Sequence, residues 1–241
     1  MGNYNEDDIF IVGFPKSGHT WSQNLVAEAL YGFTVGDTTS VALLQDLVPD
    51  IHFVDCYKRY RSPMFFKAHM LPRPEFKRVI YLLRDGRDAM VSYHHYLEAK
   101  SGSTIDFLHM VRTGEGMFPC KWHEHVSQWR ANPFKADMIT VRYEDLKADT
   151  VKELERIFAF AGIPRTRAQL ETAARRSSFS SMQEREKKTG TGNPDWPKDR
   201  LFVRRGKVGS YVDEMPADVQ KAFLSEAEPM MRELGYIRAE Q

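Results

Sequence analysis

Only two cysteines, Cys56 and Cys120, occur in 241 residues, far apart and without metal-ligand partners at a useful spacing. A disulfide framework or a structural zinc site is therefore not expected, and free or buried thiols in a reducing compartment are. Long apolar runs are also lacking; none approaches the roughly 20 residues of a membrane helix. Nor is there an excess of either charge: 34 Lys and Arg stand against 33 Asp and Glu, a formal net charge of +1. Bulk electrostatics thus offers nothing to a nucleic acid or a membrane surface, and any anion site must come from local basic clusters. Residues 1–8 are polar and acidic, unlike a secretion signal, so a cytoplasmic protein is expected. No repeat and no low-complexity block appears. What is present is ordinary for a globular chain, 42% hydrophobic and 28% charged, and the length suits one α/β domain over residues 1–241.

The chain is organised around Ile9-Phe10-Ile11-Val12-Gly13-Phe14-Pro15-Lys16-Ser17-Gly18-His19-Thr20-Trp21. An apolar, β-branched run ends in a Gly/Pro-punctuated loop that opens into a helical pattern from Thr20 to about Tyr31. Strand, tight loop and helix N-terminus make a phosphate site, because free backbone N–H groups and the positive end of the helix dipole converge on the anion. Lys16 adds a cation, and Ser17 and Thr20 add hydroxyls. The stretch nearly matches the nucleoside-triphosphate loop G-x-x-x-x-G-K-[ST]. However, His19 stands where the lysine belongs, and the lysine comes earlier, on the strand side of the loop. ATP or GTP hydrolysis is thereby disfavoured, with a P-loop kinase as the alternative reading.

Further along, Met64–His69, Val79–Leu83 and Met138–Tyr143 read as strands, the second a continuous apolar run typical of a buried parallel strand. Helical patterns cover Thr38–Leu47, Asp88–Leu97, Ser103–Val111, Pro119–Arg130, Arg167–Arg176 and Pro216–Leu234. Thr150 with Glu153 resembles a capping box at the start of another helix, which Gly162 and Pro164 end. The basic, aromatic Tyr57–Arg61 reads as a surface segment, and Glu184–Asp199, rich in charge and in Gly, Pro and Thr, reads as a mobile loop. Strands alternating with helices predict an α/β fold, a three-layer P-loop-like architecture with a central parallel sheet flanked by helices. Its ligand then belongs at the C-terminal strand ends, where Lys16, His69, Arg84 and Tyr143 all fall.

Arg84 ends a buried strand, and Ser92 follows about two helical turns on. An Arg can grip phosphate through paired N–H donors with a hydroxyl beside it; pairing with Asp85 or Asp88 is the plainer alternative. Pro15-Lys16-Ser17-Gly18-x-Thr20-Trp21 resembles the 5′-phosphosulfate loop of the sulfotransferases that use 3′-phosphoadenosine 5′-phosphosulfate (PAPS). The segment from Tyr81 through Arg84 to Ser92 resembles their 3′-phosphate-binding segment. Arg204-Arg205-Gly206-Lys207-Val208-Gly209 resembles the family's late Arg-Lys-Gly-x-x-Gly segment, with Arg205 for Lys. Tyr143-Glu144-Asp145-Leu146 and Ser177-Ser178-Phe179-Ser180-Ser181-Met182 match two shorter stretches, the latter on the adenine side. The likeness runs from residue 9 to about 209.

The resemblance implies a cytosolic-type sulfotransferase moving the sulfuryl group of PAPS to a hydroxyl of a small, apolar acceptor. The product is 3′-phosphoadenosine 5′-phosphate (PAP), and no metal is needed. It assigns the donor to Lys16, Ser17, Gly18, His19, Thr20, Trp21, Arg84, Ser92, Tyr143, Ser177, Phe179, Met182, Arg204, Arg205 and Gly206. Lys67-Ala68-His69 matches the family's Lys-x-His. Residues two apart on a strand share a face, so Lys67 and His69 can both meet the reacting centre, His69 as general base and Lys16 and Lys67 as charge stabilisers. His94, His95, His123 and His125 are the rival histidines. His19 replaces the usual Thr, the late segment lacks the usual Trp-Lys continuation, and no dimer signature is visible. Phe14, Phe66, Met70, Tyr96, Phe118 and Trp122 are candidates for an apolar acceptor wall, though ordinary core suits most of them. A PAP-binding module without turnover is the remaining alternative.

Overall fold

The computed structural model describes residues 4–33, 38–53, 56–191 and 195–237. Among these residues four strands, β1 (Ile9–Gly13), β2 (Phe65–Ala68), β3 (Arg78–Leu83) and β4 (Asp137–Arg142), form one sheet in the order β2-β1-β3-β4. Every pairing is parallel, with Ile11 opposite Lys67, Val12 opposite Tyr81 and Leu82 opposite Val141. Parallel strands need crossovers, and helices supply them. In chain order these are α1 (His19–Tyr31), α2 (Thr38–Leu47), α3 (Gly86–Ser101), α4 (Phe107–Thr113), α5 (Trp122–Ala131), α6 (Tyr143–Ala148), α7 (Thr150–Ala161), α8 (Arg167–Arg176), α9 (Phe179–Thr189), α10 (Tyr211–Glu214) and α11 (Ala217–Glu233).

The sheet is apolar on both faces because alternate residues of each strand point opposite ways. Phe10, Val12, Val79 and Tyr81 pack with Trp122 and Trp129 of α5 and Phe223, Ala227 and Met231 of α11. Ile9, Ile11, Ile80 and Leu82 pack on the other face with Leu25 of α1, Ile157 and Phe158 of α7 and Leu170 of α8. The three-layer α/β arrangement expected from the alternation of elements is the observed one.

Three local expectations need correction. The cap of α7 is Asp149, whose carboxylate accepts from the Lys152 N–H at 3.0 Å; Thr150 lies inside the first turn and its hydroxyl donates back to the Leu146 carbonyl at 2.9 Å. A carboxylate one residue earlier outcompetes the hydroxyl, since it meets the same orphan amides with a full charge. Residues 184–189, expected in a mobile loop, continue α9 to Gly190. Their charged composition conceals an anchor: buried Glu186 accepts from the backbone N–H groups of Phe202 and Val203. Residues 192–194 of the expected loop lie outside the described residues. Finally, β4 stops at Arg142, and Tyr143 opens α6.

The segment 57–61 is structural. Tyr57 packs on Tyr4 and Phe66, and Arg59 holds the fully buried Asp8 at 2.7 Å.

Candidate active site

Because the strands are parallel, their C-terminal ends share one edge. A cavity of about 680 Å³ opens there, lined among others by Lys16, His69, Arg84 and Tyr143. The loop after β1 is backbone-determined. Lys16 itself sits at φ 70°, a left-handed conformation costly for a residue with a side chain and characteristic of functional turns. Gly18, at φ 104°, caps α1 with no side-chain hydrogen bond, so the first amides of α1 keep no partner within the helix. A Cβ at Gly18 would come within 2.9 Å of the Tyr143 ring. Around this loop Ser17 Oγ, Ser22 Oγ, Arg84 Nε and both ring nitrogens of His19 are buried without a hydrogen-bond partner. Each such group costs about 1–3 kcal/mol. Orphaned donors gathered at a helix N-terminus fit a polyanion.

The Lys16 ammonium lies 4.6 Å from the ring centre of Tyr96 and 4.2 Å from that of Phe202. Trp196 stacks on Tyr96 and meets Phe202 edge-on. Burial, followed by the charges of Lys67, Arg84 and Arg204, pulls the Lys16 pKa down to about 7.

Next to the loop stands a histidine cluster. His69 follows β2, and its Nδ1 lies 3.2 Å from the Gly13 carbonyl oxygen. A carbonyl only accepts, so Nδ1 carries the proton and Nε2 keeps its lone pair. Burial and then the Lys67 charge hold His69 well below the ordinary imidazole range, so the ring is neutral at physiological pH. The His69 amide donates to His52 Nε2 at 2.9 Å, and His125 Nε2 lies 3.3 Å from the His69 carbonyl. The rings of His52 and His19 lie 5.5 and 4.0 Å from that of His69. Lys67, on the same strand face, is held at 2.8 Å by Asp50, which is 1% exposed.

Basic residues from later in the chain line the same cavity and reach the loop. Arg84 donates to the carbonyls of Lys16 at 3.0 Å and Lys207 at 3.3 Å, and its guanidinium lies 4.3 Å from the Tyr143 ring centre. Its expected pairing with Asp88 exists at 3.6 Å, yet the Asp88 carboxylate is mainly engaged by the N–H groups of Gly209 and Tyr211 at 2.8 and 2.9 Å. That anchors the late basic segment across the cavity. Arg204 forms a paired bridge to Glu214 at 2.6 and 2.7 Å, Arg205 reaches Glu214 at 2.6 Å, and Lys207 reaches Asp213 at 2.6 Å. Hydrogen bonding by Arg204, the largest cause, holds the Glu214 carboxyl at about 2. Gly206, at φ 55°, lies so close to Phe179 that a Cβ would come within 2.2 Å of its ring.

Of the donor residues expected from sequence, Lys16, Gly18, His19, Thr20, Trp21, Arg84, Ser92, Tyr143, Phe179, Met182, Arg204, Arg205 and Gly206 line the cavity. Ser17 and Ser177 stand behind its wall; the Ser177 carbonyl accepts from the Trp21 indole at 2.8 Å and so fixes that ring. Among the histidines only His19, His52 and His69 line it. His125 is fully buried against the Tyr81 hydroxyl, and His94 stacks on Phe107. Of the suggested acceptor wall, Tyr96 and Phe118 line the cavity, whereas Phe14, Phe66 and Trp122 are core. Asp50, His52, Trp196 and Phe202 were not foreseen, since each enters from a segment remote in sequence. The trio His94, His95 and Glu98 is close enough for a metal, but His94 Nε2 donates to the Ile105 carbonyl at 2.8 Å, leaving that nitrogen no lone pair.

The family profile of the sulfotransferase domain matches residues 6–235. The chain belongs to the sulfotransferase family. It is an enzyme of the cytosolic PAPS-dependent type, transferring a sulfuryl group from PAPS to a hydroxyl. Cytosolic sulfotransferase 1 of Danio rerio is 26% identical over 242 residues, 90% of this chain and 80% of the relative. Sulfotransferase 1B1 of Mus musculus is 28% identical over 227 residues, 85% and 76% of the two chains. Among solved structures, mouse sulfotransferase SULT7A1 complexed with PAP superposes with a TM-score of 0.69 at 24% identity, over 96% of this chain and 86% of that one. The cavity of this sulfotransferase has groups of the kind such a donor needs: orphaned polar groups near the N-terminus of α1, the rings of Trp21 and Phe179, and the guanidinium groups of Arg84 and Arg204.

Proposed function

We propose that this sulfotransferase acts on a hydroxyl of a small, apolar acceptor, with His69 as general base. The observation that carries the reading is the fixed tautomer of His69: Nδ1–H donates to Gly13, and the ring, neutral and two residues from Lys67, lines the cavity. A neutral imidazole with a free lone pair can take the proton of an attacking hydroxyl. Lys16 lies at the loop where charge grows on the leaving phosphate oxygen, and Lys67 lies where the sulfuryl oxygens turn. Both act by preorganised charge. Thr20 and the loop amides hold the 5′-phosphate, Arg84, Ser92 and the Arg204–Gly206 segment the 3′-phosphate, and Trp21, Tyr143, Phe179 and Met182 the adenine side. His52, Phe53, Tyr93, Tyr96 and Phe118 line the remainder, an aromatic wall suited to an apolar acceptor.

Calorimetric titration with PAP and ATP tests the donor assignment. PAP is expected to bind at micromolar or tighter affinity and ATP far more weakly, with Arg84→Ala weakening PAP by about tenfold or more. Equal ATP and PAP affinities, or an Arg84→Ala variant that binds PAP unchanged, would sink the 3′-phosphate assignment. In a screen of phenols and alcohols, His69→Ala should lose at least ~100-fold in turnover while still binding PAP.

A further inference from the structure

Resting on the donor reading above, we propose that His19 is a second imidazole of the reaction centre, donating a ring N–H to the sulfuryl group in flight rather than to the phosphate behind it. Three observations point there. His19 is 3% exposed, and neither ring nitrogen has a protein partner, although the residue lines the cavity. Its ring lies 4.0 Å from that of His69, with its Cε1 within 3.1 Å of the place a Cβ would take at Gly13, the residue whose carbonyl sets the His69 tautomer. The strongest charges acting on it come from the base side: His69 after β2, Lys67 on β2, His125 on α5 and His52 after α2. His19 thus begins α1 at the phosphate loop but turns its ring toward the base.

A neutral imidazole has one N–H to give and one lone pair to receive. Burial first, and then His69, lowers the His19 pKa well below its usual value, so the ring serves as a hydrogen-bond donor that neither gains nor loses a proton. The proton account closes without it. As the acceptor oxygen bonds to sulfur, its proton passes to His69 Nε2, and the bond from sulfur to the bridging oxygen breaks, leaving PAP with the electron pair. His19 stabilises the sulfuryl oxygens through this exchange, a preorganised donor in a water-poor site.

PAP lacks the sulfuryl group and PAPS carries it, so the two ligands separate the roles without any knowledge of the acceptor. Affinities for both are measured on the wild type, on His19→Leu, which fills the space without a donor, and on His19→Asn, which keeps an N–H. His19→Leu is expected to weaken PAPS about tenfold and PAP less than threefold, and His19→Asn to recover most of the PAPS affinity. Thermal melting with PAP confirms that each variant folds. Parallel losses for PAP and PAPS, or no loss for either, would overturn the proposal while leaving the donor site intact. A wild type that binds neither ligand would overturn the donor assignment, and this inference with it.

Discussion

Lys16 concentrates the physics of the site in one residue. It is held at a left-handed φ, half-buried, with its ammonium between two aromatic rings. Its folded pKa, about 7, lies below the ordinary lysine value of 10.5. Between those values the unfolded chain holds a proton that the folded one has released, so stability rises with pH through that window and the full penalty applies below about pH 7. Lys16→Met is therefore expected to raise the melting temperature by about 2–4 °C at pH 6.5, for roughly 1 kcal/mol relieved, and to gain less above pH 9. Binding runs the opposite way. A polyanion favours the charged ammonium, so PAP affinity of the wild type should fall as pH rises through 7 and binding should take up a proton there. The variant should bind more weakly and with a flatter profile. A wild-type affinity independent of pH from 6 to 9 would show that Lys16 stays charged throughout. The position of this lysine on the strand side of the loop was legible in the sequence. Its aromatic neighbours were not, because Tyr96 and Phe202 meet it only through tertiary folding.

At the scale of elements, the strands and most helices were readable, since period-two alternation and unbroken apolar runs mark a parallel sheet buried on both faces. Composition misled at α9. Residues 184–189 are Lys- and Glu-rich and resemble a loop, yet Glu186 turns inward and its carboxylate holds the N–H groups of Phe202 and Val203, while Gln183 donates to the carbonyls of Val203 and Arg204. The helix thus straps the late basic segment over the cavity from one side, as Asp88 does from the other. An inward-facing charge in a charged run leaves no periodic signature, so only the folded chain reveals it. Glu186→Ala removes two charge-assisted hydrogen bonds. Amide exchange at Phe202 and Val203 should accelerate by about 10–100-fold, with strand amides such as Ile80 unchanged. Unaltered exchange at 202–203 would mean that the aromatic stack alone holds the segment. The same strap bears on charge balance, because Asp213 and Glu214 already occupy Arg204, Arg205 and Lys207. A 3′-phosphate bound there, as proposed, would compete with or join those carboxylates, which the basic spelling of residues 204–209 did not disclose.

At the scale of the whole molecule, the site is an edge phenomenon. Its residues come from the ends of four strands and from segments near positions 50, 180 and 205, and the two apolar layers hold those ends in register. The layer containing α11 contributes Met231, fully buried and absent from the cavity wall. Met231→Ala should cost about 2–5 kcal/mol, a fall in melting temperature of about 5–20 °C for a chain of this size. Ligand and core should nevertheless act independently, since distant sites with no shared partners add. PAP at 100 times its dissociation constant stabilises the folded state by about 2.7 kcal/mol, or about 5–10 °C. That increment should appear equally in the wild type and in Met231→Ala when each is held at 100 times its own dissociation constant. At the wild-type concentration of PAP it should shrink in Arg84→Ala, whose lost contact lies in the site itself. If Met231→Ala loses the increment as well, the strand ends depend on the core behind them for their ligand geometry. The sheet would then be a working part of the donor site as well as its support.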